Sequence, residues 1–535
     1  MRANPTNYDR ERLLFRRQFI LGPTFAEGFG TWRHLRVGPS LCLTIHPDMP
    51  IYLAQGGDKS VALLGYILDP DEPKATDADI VRKLLFHLES RETPEDFVRL
   101  TYPFGGRWIL IVDNGRVPWL FNDPCGYRQV CYTRRTSHGL WCASQPGLLA
   151  EILGFAPNQE AMNFIRTFRR RQPEYWWPVG SSPFSEVRHL LPNHHLDLKS
   201  GTDHRFWPVD DITPRPLEEV VTESARLLQR LIVSASHRFG LALSMTAGKD
   251  TRLLLAASRP LRDVLYCYTL QYWDLTPESP DIQVPSRLLP RLGLVHHVIH
   301  CPSSMDRGFA EVYRRNVTTA HDAYGPIVQA LYHHFPQNKV SMKGCAAPIT
   351  GVHYRRRLRR QRPEAADGGE VDRLTLAQVA KMPEQDFALE AFDRWLSDVN
   401  ETNVEGFDPL TLFLWEDREG NWQSMTQLEG DISREIFVPY DCRLLLANML
   451  SVPEPYRTKP AYLLHEKMML HLWPEVLSEP INPPVKPSLV SVARGFLKRP
   501  GCMTWRWLGS QLAGNWLPPG SAFGNPHQDE AERSF

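Results

Sequence analysis

The stretch from Leu241 to Ala257, LALSMTAGKDTRLLLAA, constrains this chain more than any other. It opens on a short apolar run, passes through a loop of small and polar residues, and leaves in a helix-forming run near Arg252. Strand, tight loop and helix in that order gather loop N–H groups and a positive helix N-terminus around one point, where an anion would sit. Ala247 and Gly248 keep bulk away from the loop backbone, Thr246 and Thr251 offer hydroxyls, Lys249 adds a cation, and Asp250 can hold a divalent ion beside phosphates. A ligand-free strand–turn–helix junction has the same outline, so the rest of the chain has to decide. The loop is not a Walker A sequence, because no Gly-Lys-Ser/Thr follows a glycine at the required spacing.

At 535 residues the chain is too long for one core and predicts at least two domains. Lys plus Arg and Asp plus Glu both number 61, so no global charge draws it to nucleic acid or an anionic membrane. No apolar run is long enough to span a bilayer, and the polar first residues lack a signal-peptide core. The nine cysteines include no Cys-x-x-Cys pair, which argues against a zinc site or a disulfide framework and for a reduced, cytoplasmic setting.

Along the chain, Val61–Ile67 and Trp108–Val112 read as strands, and 79–88 as a helix with Ile80, Leu84, Leu85 and Leu88 on one side. His194 and His195 read as structural histidines at a strand edge. Leu217 to Phe239 has an apolar face at helical spacing. Strands at 264–270, 295–299 and 339–342 then alternate with helices, which predicts a parallel sheet that binds ligands at the carboxyl ends of its strands.

Several ordered segments resemble one family. Phe104-Gly-Gly-Arg-Trp108, Leu120 to Tyr127 and Trp141-Cys-Ala-Ser144 are similar to elements of the amidotransferase half of asparagine synthetases. His189 to Leu196 and Arg205-Phe-Trp-Pro208 resemble its linker, and the 246–251 loop resembles the pyrophosphate loop of N-type ATP pyrophosphatases. Asp281, the segments 414–422 and 455–459, and Val438-Pro-Tyr-Asp441 continue in step. The resemblance implies an N-terminal α+β sandwich of the N-terminal-nucleophile amidotransferase type over 1–212. It implies an α/β parallel-sheet ATP pyrophosphatase domain with added helices over 213–517, and 518–535 reads as a disordered tail. It implies ATP and Mg2+ as cofactors, with Ser244, Thr246, Ala247, Gly248, Lys249, Asp250, Thr251 and Arg252 binding nucleotide and Asp250 holding the metal. Lys486 falls near a family lysine that meets the α-phosphate, although its neighbours differ.

Two departures bear on chemistry. Glutamine-hydrolysing members carry Cys directly after the initiator Met; here Arg2 stands there and the first Cys is Cys42, so no glutaminase activity is expected. The family's second acidic cluster is also missing: the corresponding run carries Lys343, Ala346, Ala347 and Pro348. Asp322, just before the same strand, is the most economical substitute base if the site turns over; a surface cap is the other reading of it, and the favoured one.

The expected function is an AMP-forming, ATP-dependent carbon–nitrogen ligase working through an acyl-adenylate on a small-molecule or peptide substrate. A degenerate nucleotide-binding or scaffolding protein is the first alternative. A nucleic-acid-modifying pyrophosphatase is the second, suggested by the basic run Arg355 to Arg362 but disfavoured by the neutral whole. A membrane partner is not expected, and a homodimer stays open.

Overall fold

A strand buried at nearly every position must be covered on both faces, and the N-terminal part is built on two of them. In the computed structural model, which describes residues 9–484 apart from 39, 89, 91–92, 135–138, 210–211, 362–370, 403–406 and 461, Lys59–Leu68 and Gly105–Asp113 are buried almost end to end. They pair antiparallel, Val61 opposite Val112 and Leu63 opposite Leu110. Ala62, Leu64, Ile109 and Ile111 share a core with Phe19, Leu21, Leu43 and Ile45 of a second sheet. Val61, Leu63, Leu110 and Val112 belong to another core with Ile80, Leu84 and Leu88 of helix Asp77–Leu88. The outer face of the second sheet is covered by helix Pro146–Leu153 through Leu148 and Leu149. The result is two six-stranded antiparallel sheets face to face, with helices outside. His194 and His195 lie in strand His194–Asp197, which pairs on both sides and is therefore interior rather than an edge.

Helix Leu217–Ser236 follows, its buried stripe including Val221, Leu228 and Ile232. It leads into a five-stranded sheet whose strands all run parallel. In spatial order these are His296–His300, Tyr266–Gln271, Gly240–Ser244, Lys339–Met342 and Ile436–Phe437. In chain order that is 3-2-1-4-5, so connections leave Gly240–Ser244 and Lys339–Met342 in opposite directions. Between their carboxyl ends a crevice must open, which is where ligands bind in such sheets.

The two parts meet across a charged seam. Arg107 and Arg128 reach from the sandwich to Asp431 and Glu435, with Arg107 Nη2 at 2.9 Å from Asp431 Oδ2 and Arg128 Nη2 at 3.2 Å from Glu435. Arg205 holds Glu416 and Asp398 together. Asp123 and Asp441 also face each other here, and Asp441 Oδ1 accepts from the Cys125 amide at 2.9 Å. Burial, followed by the charge of Asp123, raises Asp441 far above the carboxylate range, so Asp441 keeps its proton beside Asp123.

The basic run folds as helix His353–Gln361. Arg355 pairs with Asp408, Arg359 with Glu454, and the buried Arg357 donates to the Val379 carbonyl. No described helix is long and apolar enough to cross a membrane. Arg2, Lys486 and the segment from 518 lie outside the described residues.

Candidate functional site

At the crevice between Gly240–Ser244 and Lys339–Met342 lies a cleft with about 1160 Å³ of empty space, its open mouth included. One wall is the end of the first strand and its loop: Ser244, Thr246, Gly248, Asp250 and Thr251. The facing wall is the end of the fourth strand, Lys343 to Cys345. The two walls approach closely at Gly344, where an added Cβ would stand 3.2 Å from Asp250 Cβ and 3.4 Å from the Thr251 amide nitrogen.

The loop is held by its own side chains. The Ala247 amide donates to Asp281 Oδ1 at 2.9 Å, the Gly248 amide to Thr246 Oγ1 at 3.1 Å, and the Thr246 amide to Thr251 Oγ1 at 3.3 Å. These three amides are therefore spoken for, and the donors left for an anion are the first amides of helix Lys249–Ala257. Behind the loop, the Tyr440 hydroxyl donates to the Asp250 carbonyl at 3.1 Å. This gives the Val438–Asp441 segment a role in bracing the loop as well as the seam.

Two of the expected nucleotide ligands face elsewhere. Lys249 pairs with Asp250, lies 3.3 Å from His465 Nε2 and sits over the Tyr462 ring, outside the cleft lining. Arg252 is fully buried and spends its guanidinium on the carbonyls of Val476 at 2.7 Å, Glu479 at 2.9 Å and Pro480 at 3.2 Å. It ties the chain after helix Leu463–Leu472 to the loop's helix rather than meeting a ligand. Ala247 is buried beneath the loop.

Asp322 does not reach the cleft. Its carboxylate is taken by Arg169 and, at 2.8 Å, by Arg314, and it is part-exposed. The turn directs its neighbour inward instead: His321 is fully buried and binds the cleft residue Glu429 through its amide at 2.7 Å and Nδ1 at 2.9 Å. In this turn the imidazole takes the interior and the carboxylate the surface.

The acid that does face the cleft comes from a segment without a site role in the sequence reading. Residues Leu414–Gln423 form a π-helix, buried over nearly its whole length, that sends successive side chains in different directions. Glu416 meets Arg205 and Asp417 accepts from Trp176 Nε1 at 2.9 Å. Arg418, Glu419 and Trp422 line the cleft. Gly420 lets Pro192 of the sandwich close in, since a Cβ there would be 2.6 Å from Pro192 Cδ. Glu419 Oε2 accepts from the Tyr127 hydroxyl at 2.7 Å and from the Ala346 amide at 3.2 Å. Ala346 is held at φ 64°, a left-handed conformation that costs a non-glycine residue energy and fixes this turn of the cleft wall. Burial is the main reason that the Glu419 carboxyl is raised above its usual range.

Among the described residues no cluster of three or more His, Cys, Asp or Glu is arranged to hold a metal alone. Asp250, the carboxylate on the loop wall of the cleft, fits Mg2+ that arrives on phosphates, since Mg2+ keeps waters and commonly takes one or two carboxylates plus substrate oxygens.

No family model matches this chain, and none of the curated proteins does. Among solved structures it is similar to the glutamine phosphoribosylpyrophosphate amidotransferase from B. subtilis complexed with ADP and GMP, at 10% identity and a TM-score of 0.22. That similarity covers 68% of this chain and 75% of the other, and at such a TM-score it carries no weight for function.

Proposed function

We propose that this chain is an AMP-forming, ATP-dependent ligase of the asparagine-synthetase-like kind, joining a carboxylate substrate to a nitrogen nucleophile through an acyl-adenylate. The sandwich serves as a brace for the ligase site, without glutaminase activity. One observation carries the reading: a phosphate-type loop and a buried carboxyl, Glu419, face one cleft at the switch point of a parallel sheet.

The residues divide the work. The first amides of helix Lys249–Ala257 and the hydroxyls of Thr246 and Thr251 would hold phosphates, with Asp250 as the ligand for Mg2+. The bound metal would neutralise phosphate charge. Glu419 would take the proton of the attacking nitrogen. A carboxyl raised by burial is a stronger base once ionised, which suits that task near neutral pH. Its bond to the Ala346 amide puts an acid beside the run where the sequence lacks one. The bracing role of the sandwich is supported by Tyr127, which crosses the seam to hold Glu419, and by the commitment of Arg107 and Asp123 to seam contacts.

The test is calorimetry with Mg-ATP, followed by pyrophosphate release with a panel of carboxylic acids. The wild type should bind Mg-ATP, and Asp250→Asn should weaken binding at least tenfold with an unchanged circular dichroism spectrum. Equal affinity in both proteins would remove Asp250 from the site. Tight binding without pyrophosphate release for any acid would favour a nucleotide-binding scaffold.

A further inference from the structure

Buried charge is normally neutralised within the protein, because a cation taken from water without a partner loses more solvation than the fold returns. The cleft breaks that rule on one side. Lys343, half-buried at the cleft wall, makes no side-chain hydrogen bond or ion pair among the described residues. Arg434 is 5% exposed and meets no carboxylate in an ion pair among the described residues: its Nη1 donates to Ser433 Oγ at 2.9 Å, it interacts with the Tyr268 hydroxyl and lies over the Phe335 ring, and its Nε has no hydrogen-bond partner. Both line the cleft, and each lies close enough for the charge of Arg434 to depress Lys343. Burial is the larger cause, and together with Arg107 these effects bring the Lys343 ammonium down to about 8; Cys345 and Glu429 oppose them weakly. Glu429, also in the lining, holds His321 through Oε1 and leaves Oε2 without a hydrogen-bond partner, and it makes no ion pair with either cation. The phosphate-type loop does not need these cations, since it stands on the opposite wall with its own donors and Asp250.

We infer that Lys343 and Arg434 form a second anion subsite in the cleft, which binds an anionic group of the substrate other than the phosphates of the nucleotide. This rests on the reading that the 246–251 loop holds those phosphates. The substrate class it names is an acid with an additional negative group, carboxylate or phosphate, beyond the one being activated. The neighbouring wall of Tyr324, Ile327, Val328 and Leu331 offers that molecule an apolar surface.

The experiment uses full-length protein, wild type and Lys343→Met, with and without a saturating non-hydrolysable Mg-ATP analogue. Acetate and sulfate are titrated as probes of a planar and a tetrahedral anion. One or both should bind to the wild type with the nucleotide analogue present, and the tighter of the two reports which anion the subsite prefers. Lys343→Met should weaken that binding at least tenfold and leave affinity for the nucleotide analogue within threefold. It should also raise the melting temperature of the ligand-free protein, because an unneutralised charge has been removed, so loss of binding cannot be blamed on misfolding. Equal anion binding in the two proteins, or none in either, overturns the subsite. Competition between the anion and the nucleotide, with nucleotide affinity lost in Lys343→Met, would assign Lys343 to the phosphates instead. If the wild type binds no nucleotide, the ligase reading fails, while the titrations without nucleotide still decide the subsite.

Discussion

The seam and the cleft are built from the same residue types and treat them in opposite ways. In the seam, Arg107, Arg128 and Arg205 each meet a carboxylate at hydrogen-bonding distance. In the cleft, Lys343 and Arg418 have no ion pair among the described residues, and Arg418, two residues from Glu416, instead stacks over Trp422 at 4.3 Å. The difference separates architecture from chemistry. Paired charge fixes how the two parts sit, whereas unpaired charge leaves interactions for a ligand to complete.

The largest expected effect would come from Glu419→Gln. If Glu419 is the base, amine-dependent turnover should fall about 10²–10⁴-fold, while hydroxamate formation with hydroxylamine, a nucleophile that needs little help, should persist. Equal loss in both assays would place the defect in adenylation. Arg107→Met attacks the seam instead: Asp431 loses its two-bond partner and keeps only Arg128 at 3.5 Å, while Glu435 keeps Arg128 and Arg17. Breaking a buried pair on one side costs about 3–5 kcal/mol, so the urea midpoint should drop sharply; a change under about 1 kcal/mol would mean that the seam is not the clamp described here.

Tyr127→Phe tests the link between the two regions. Losing the hydroxyl leaves Glu419 Oε2 with the Ala346 amide alone, at a cost of about 1–3 kcal/mol. Because the Tyr127 hydrogen bond lowers the Glu419 carboxyl against the pull of burial, its removal should move the acidic limb of the pH–rate profile to higher pH. An unmoved limb would disconnect Tyr127 from the titrating group. The smallest effect is expected from Asp441→Asn. Asp441 is raised in the fold, so the native state holds a proton that the unfolded chain releases above about pH 4. Its contribution is complete below that pH and is lost as pH rises toward the folded value. Asn keeps a donor toward Asp123 without a proton to lose. The variant should gain on the order of 1 kcal/mol at pH 8, with the gap closing toward pH 4.

Much of the scaffold could be read from residue order. The strand at 339–342 appears as expected, and the alternation of strands and helices gave the parallel sheet. The loop at 246–251 lies at the cleft because a strand–loop–helix junction carries its own local signal. The acid was not legible, for a physical reason. Glu419 and Ala346 are 73 residues apart, and a charged run such as WEDREGNW normally marks a solvated helix face. The flanking apolar residues, LTLFL before it and the buried Met425 and Leu428 after it, were the available hint that the run is enclosed. For the pair at 321–322 the surface alternative describes Asp322, which pairs with Arg169 and Arg314, while His321 takes the interior. Burial of His321, not its sequence, turned Asp322 to the surface.

The π-helix also limits how this protein can change length. An α-helical turn is tighter, so removing one residue from Leu414–Gln423 would let the segment relax to the commoner pitch while rotating everything downstream. Glu419 could not then face the Ala346 amide while Glu416 still faced Arg205, because both contacts depend on the wide turn between them. Deletions here should therefore be far less tolerated than substitutions of its half-buried neighbours, and the segment works as a fixed spacer whose residue count, rather than any one side chain, keeps the cleft and the seam in register.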